Sequence, residues 1–148
     1  MDFYTGEYSG RAGSTAQGST PFVTDLTQDA MNNDLFFTTQ WTSKNMQFAL
    51  VSIPVNSDTG LDVHPNSDQI FYIEQGSALV IMGLCQECLN FQTHAYEGFA
   101  VIAPAGTWHN IVNIGQNDLK MFTIYAPPVH SFSAVYRTKD EWFAHDEF

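Results

Sequence analysis

From Leu35 to Ala126 the chain is written as short runs rich in β-branched, aromatic and aliphatic residues: LFFTTQWT, MQFALVSI, QIFYIEQ, SALVIMG, LNFQTHAY, FAVIA, TWHNIVNI and LKMFTIYA. Between them sit Asn56-Ser57-Asp58-Thr59-Gly60, Gly76, Gly98, Pro104-Ala105-Gly106 and Gly115-Gln116-Asn117-Asp118. These residue types supply the dihedral angles and local hydrogen bonds that reverse a chain. Strands recurring at this spacing without helical stretches between them fold as an antiparallel sandwich or barrel. The expected fold class is all-β.

The parity of charges gives each strand a face, because successive side chains alternate and a charge marks the outer side. Glu74 outward places Ile70 and Tyr72 outward and Gln69, Phe71 and Ile73 inward. Lys120 outward places Met121, Thr123 and Tyr125 inward.

The flanks read differently. Residues 1–20 contain GEYSGRAGSTAQGST, with no apolar periodicity, and are expected as a flexible arm. Residues 21–148 are expected as a single domain, since 148 residues leave little room for a second. Asp25 to Asp34 holds at most a helical turn, ended by Asn32-Asn33-Asp34. The tail after Pro127-Pro128, VHSFSAVYRTKDEWFAHDEF, is compatible with a closing strand or a short helix.

Charge excludes whole classes of partner. With 5 basic against 16 acidic residues and a net charge of −11, the chain lacks the Lys and Arg that bind nucleic acid or an anionic membrane. The beginning has neither the basic region nor the apolar run of a signal peptide, so a cytoplasmic location is expected. The longest charge-free stretch, Gly98 to Asn117, is interrupted by Pro104, His109, Asn110, Asn113 and Gln116 and does not read as a membrane span. Between Lys44 and Lys120 there is no basic residue, while Asp58, Asp62, Asp68, Glu74, Glu87, Glu97 and Asp118 all fall there. Any site built by the middle of the chain is acidic or neutral.

Two segments carry chemistry, each a strand, a tight turn and a returning strand with a histidine at its shoulder. Asp62-Val63-His64 puts two potential ligands at i and i+2, and after Pro65-Asn66-Ser67-Asp68 the chain returns with Gln69 facing inward. In GFAVIAPAGTWHNIVN, residues 98–113, the turn is Pro104-Ala105-Gly106 and His109 lands on the following strand. If the hairpins face each other, Asp62, His64, Gln69 and His109 converge. Two imidazoles, a carboxylate and an amide oxygen suit a divalent first-row metal.

These two segments resemble the paired motifs of the cupin superfamily. The second motif, Gly, five residues, Pro-x-Gly, two residues, His, three residues, Asn, is met at Gly98, Pro104, Gly106, His109 and Asn113. The first is met in part: His64 stands at its second histidine and Gly76 at its closing glycine, while Asp62 replaces the first histidine and Gln69 the glutamate. More narrowly, VHPNSDQIFYIEQG, PAGTWHNIVN and IYAPP resemble small bacterial single-domain cupins labelled mannose-6-phosphate isomerase-like. The resemblance spans residues 36–128. It implies a double-stranded β-helix, or jelly roll, a metal site at Asp62, His64, Gln69 and His109, and a homodimer.

Asp62 is the only anionic member of that set, an arrangement that suits Fe and also Mn, Ni or Zn and leaves positions for substrate. Asp62 reaches such a metal directly or through water, and Gln69 serves as a ligand or as a pocket amide. Tyr125 faces inward as a packing aromatic or as a proton donor. Cys85-Gln86-Glu87-Cys88 reads first as an ordinary hairpin loop, with a reversible disulfide or a partial metal site with His94 as the alternatives. Asp68 reads as a turn cap. The preferred expectation is a metal-dependent enzyme of isomerase, epimerase, lyase or oxygenase type acting on a small polar non-phosphorylated molecule. The alternative is a non-catalytic cupin that binds a small ligand with or without metal.

Overall fold

Ten strands and two short helices account for the regular structure in the computed structural model, which describes residues 17–145. In chain order they are β1 (Gln17–Gly18), α1 (Leu26–Asn32), β2 (Phe37–Thr42), β3 (Gln47–Ile53), β4 (Asp68–Gln75), β5 (Ser77–Gly83), β6 (Phe91–Tyr96), β7 (Ala100–Ala103), β8 (Trp108–Asn113), β9 (Leu119–Ala126), β10 (Val135–Tyr136) and α2 (Lys139–His145). All eight runs read from the sequence are strands. One sheet has the order β1-β2-β3-β9-β4-β7, with β10 also pairing β2, and the other is β6-β5-β8. Every pairing except β1 with β2 is antiparallel. The two sheets face each other as a double-stranded β-helix.

The apolar core lies between the sheets, where Ile53, Phe71, Ile73, Val80, Ile111, Leu119 and Met121 from five strands form one buried cluster. Gln69, Phe71 and Ile73 are buried while Ile70, Tyr72 and Glu74 are only partly so, as their parity requires. Met121, Thr123 and Tyr125 are likewise inward and buried.

Lys120 has the expected parity but not the expected exposure. It lies on the outer face of the sheet and is nevertheless buried, because α1 packs over β3, β4 and β9 there. Its Nζ donates to the Asn33 carbonyl at 2.6 Å, to Ser52 Oγ at 3.1 Å and to Asp34 Oδ1 at 3.3 Å. The ammonium thus satisfies a carbonyl just past the end of α1, where a helix leaves acceptors without intrahelical partners and a cation is favoured. At the other end of α1, Asp25 is the N-cap and its Oδ1 accepts from Gln28 N at 3.2 Å.

The tail forms both structures that its composition allows. Strand β10 adds to β2, and α2 follows, carrying Trp142 into the core cluster against Phe36, Phe37 and Tyr136. Residues 1–16 of the expected arm lie outside the described residues, and Gln17 and Gly18 pair with Trp41 and Thr42. Cys85 and Cys88, in the β5–β6 hairpin, are joined by a disulfide. That result corrects the plain-loop reading, and His94, exposed on β6, belongs to no metal-binding group among the described residues. No described helix is long and apolar enough to cross a membrane.

Candidate metal centre

Backbone pairing, rather than side-chain contact, brings the two histidine hairpins together. Residues 62 and 109 form an isolated antiparallel bridge, with Asp62 N donating to His109 O at 3.0 Å and His109 N to Asp62 O at 2.9 Å. Next along, Gly106 N donates to the His64 carbonyl at 3.0 Å. Gly106 has φ +82°, a conformation glycine adopts without a Cβ penalty, which keeps this tight turn open to that bond. Asp68 Oδ1 accepts from Ala105 N at 2.9 Å, so Asp68 caps a turn, that of the opposite hairpin rather than its own.

The convergence expected of Asp62, His64 and His109 is present. Their ligand atoms all lie within 4.8 Å of one another, and all three residues are buried. Asp62 Oδ1 accepts from Val63 N at 2.8 Å, and the distance from Asp62 Oδ2 to His64 Nε2 is 3.4 Å. His109 Nδ1 is 3.0 Å from the Thr107 carbonyl. A carbonyl only accepts, so Nδ1 carries the proton and the lone pair of the neutral ring is on Nε2.

Gln69 lines the same cavity. Its Nε2 donates to Thr123 Oγ1 at 2.9 Å, and that hydroxyl in turn donates to the Ile70 carbonyl at 3.0 Å. The relay fixes the amide orientation and leaves Gln69 Oε1 buried without a donor. His64 Nε2 is also buried without a hydrogen-bond partner. Each such buried orphan costs about 1–3 kcal/mol. A bound cation relieves both, because each is a lone pair available to a metal when the imidazole is neutral, so this donor set fits the metal that the fold implies.

Electrostatics keeps the imidazoles in that form. Burial pushes His64 down to about 3, with His109 and His130 adding repulsion, and pushes His130 down to about 4. Burial also lowers His109, against the bond to Thr107. All three are neutral near pH 7, so a metal competes with no proton. Below the unfolded value of 6.5 the unfolded chain takes up protons that the folded chain refuses. Metal-free protein therefore loses stability as pH falls, at about 1.4 kcal/mol per pH unit for each histidine still neutral in the fold. Thermal melts from about pH 7 to about pH 5, where carboxylates contribute little, check this. A flat profile contradicts it, and saturating metal is expected to raise stability with little change in that slope, since the folded ligands are already deprotonated.

The remaining lining is Phe36, Phe37, Val51, Thr59, Gly60, Phe71, Tyr125 and Trp142, around a free volume of about 20 Å³. Tyr125 is buried, its ring 5.3 Å from and perpendicular to that of His64. Two residues of the tail that sequence reasoning missed also stand here. Trp142 is part of the lining, and the His130 ring, outside the lining, lies 4.7 Å from Trp142 and 6.5 Å from His64. Only the aromatic content of the tail hinted at them.

Comparison with known proteins agrees with this geometry. The cupin domain family matches residues 49–125, from β3 through β9. YrkC of Bacillus subtilis (strain 168) is 43% identical over 130 residues, covering 88% of this chain and 70% of that protein. Protein L612 of Acanthamoeba polyphaga mimivirus is 33% identical over 110 residues, covering 74% of this chain and 67% of that protein. The crystal structure of BH2720 from Bacillus halodurans superposes with a TM-score of 0.87 at 41% identity, over 88% of this chain and 98% of that one. The matched segment contains all four residues singled out as ligands together with both hairpins that present them, and the chain belongs to the cupin family.

Proposed function

We propose that the protein is a metal-dependent cupin acting on a small, polar, non-phosphorylated molecule, with Asp62, His64, Gln69 and His109 holding the metal. The observation that carries this reading is the meeting of three ligand atoms within 4.8 Å beside two buried lone pairs, His64 Nε2 and Gln69 Oε1, that no group among the described residues satisfies. Two neutral imidazoles, one carboxylate and one amide suit a divalent first-row ion, Fe, Mn, Ni or Zn. When bound, such an ion polarises a carbonyl or hydroxyl oxygen and acidifies bound water. The chain's own part is to hold the ligands, to exclude bulk water with Phe36, Phe37, Phe71 and Trp142, and to offer the Tyr125 hydroxyl as a proton donor. Isomerase, epimerase, lyase and oxygenase chemistry all start from this arrangement.

The lining contains no Lys or Arg, and its single anion is Asp62. A phosphoryl group would need a basic side chain, a helix N-terminus or a backbone nest. This favours a neutral or cationic substrate over the phosphosugar suggested by the isomerase-like cupins. Elemental analysis after metal loading is expected to give about one ion per chain, and no metal under any loading would favour the metal-free reading. Calorimetric titration of the loaded protein with mannose 6-phosphate is expected to show no binding; tight binding lost in His109→Ala would overturn the substrate class. The homodimer is part of the same proposal, and sedimentation velocity reporting the mass of two chains supports it.

A further inference from the structure

Four buried side-chain polar atoms lack a hydrogen-bond partner among the described residues: His64 Nε2, Gln69 Oε1, His130 Nε2 and Trp142 Nε1. Two are accounted for by the metal reading. The others are not, because an indole N–H only donates and cannot ligate a cation, and His130 is outside the group whose ligand atoms converge. Yet their rings lie together, 4.7 Å apart, and one of the two, Trp142, lines the cavity. Trp142 is 6% exposed, and His130 packs against Trp142, Tyr125 and the edge of His64. The indole also packs against Phe37 at 4.9 Å, a contact that a phenylalanine would make without burying an unsatisfied donor. The N–H therefore earns no place by packing alone.

We propose that Trp142 and His130 form the second half of the ligand site, holding an oxygen of the bound molecule opposite the metal ligands. Trp142 Nε1–H donates to a carbonyl or hydroxyl oxygen, and the neutral His130 imidazole accepts from or donates to the neighbouring polar group. With no basic residue in the lining, the ligand is a neutral or cationic molecule bearing at least two oxygens, one for each half of the site, and a neutral one serves as the probe. The proposal rests on the metal reading only for the first of those oxygens.

Closure follows from where Trp142 is carried. A free volume of about 20 Å³ is smaller than a ligand of this class, so binding requires the lining that includes Trp142 on α2 to shift. Helix α2 is held down by the Lys139–Asp58 ion pair and by the Phe143 ring, which sits so close over Gly60 that a Cβ there would meet it at 2.1 Å. The residue that contacts the ligand thus belongs to the lining that has to shift.

The test reads the indole directly. In ¹⁵N-labelled protein the Trp142 Nε1–H resonance, identified by its loss in Trp142→Phe or by elimination using Trp41→Phe and Trp108→Phe, is followed during titration with hydroxyacetone, a neutral hydroxy-ketone. The free protein is expected to show this proton at the upfield position of an unbonded indole, and hydroxyacetone to move it downfield. In cobalt-loaded protein, with visible absorption as the readout, Trp142→Phe and His130→Phe are expected to keep the cobalt affinity and to weaken hydroxyacetone about five- to tenfold. An indole signal unmoved by hydroxyacetone in cobalt-loaded wild-type protein, or equal hydroxyacetone affinity in wild type and Trp142→Phe, overturns the proposal. Absence of cobalt binding with the indole shift preserved would instead sink the metal reading and leave Trp142 as a ligand contact.

Discussion

Replacing His109 with alanine is expected to abolish stoichiometric metal binding, with affinity falling by more than about 100-fold, beyond the range seen when only a supporting hydrogen bond to a ligand is lost. The imidazole is aimed by its Nδ1–H bond to the Thr107 carbonyl, and the rings against it, Phe71 and His64, cannot replace it, since the first offers no nitrogen and the second is already counted in the donor set. The fold should survive, because the bonds between residues 109 and 62 are made by backbone atoms. His64→Ala is expected to behave alike. Asp62→Asn keeps the shape and removes the single anionic ligand, so its affinity should lie between those of wild type and His109→Ala. Elemental analysis of each variant, with circular dichroism to confirm folding, decides the matter: full metal content in both histidine variants places the metal elsewhere.

The largest expected effect on stability is at a residue with no part in the chemistry. Gln47 is completely buried; its Nε2 donates to Thr42 Oγ1 at 3.0 Å and to the His130 carbonyl at 2.9 Å, and its Oε1 accepts from Val129 N at 3.2 Å and His130 N at 2.9 Å. Gln47→Leu preserves volume but leaves two amides and a carbonyl of the 129–130 backbone without partners. A loss of about 3–5 kcal/mol is expected, lowering Tm by about 10 °C or more. Denaturant unfolding checks it. A change below about 1 kcal/mol would mean that water replaces the amide there. Because these bonds hold His130, the variant should also weaken hydroxyacetone more than it weakens the metal.

Gln47 shows why part of the molecule was illegible in the sequence. The strands could be read because eight apolar runs with turn residues between them admit few other folds, and the candidate ligands because Asp62, His64, Gln69 and His109 fall on two hairpins of matching form. Gln47 sits in the run MQFALVSI, where a polar residue suggests the outer face, and only the returning 129–130 segment makes it internal. Lys120 misleads in the same way: its parity was right, but burial depended on α1, which packs over that face from far along the chain. Trp142 and His130 follow no spacing rule at all. Trp142 reaches the cavity because β10 adds to β2 and α2 follows it, and His130 is held beside Trp142 by the bonds from Gln47, long-range events that leave no local pattern.

The bridge between residues 62 and 109 separates framework from reactivity. Its two bonds run between main-chain atoms, so they are blind to which side chains stand at those positions. Asp62 can thus be exchanged for the histidine of the wider family at small structural cost, altering the charge and preferred ion of the centre while the hairpins stay where they are. A single sandwich of this kind is a socket into which evolution can fit successive chemistries, with the polypeptide backbone acting as the part that never has to be redesigned.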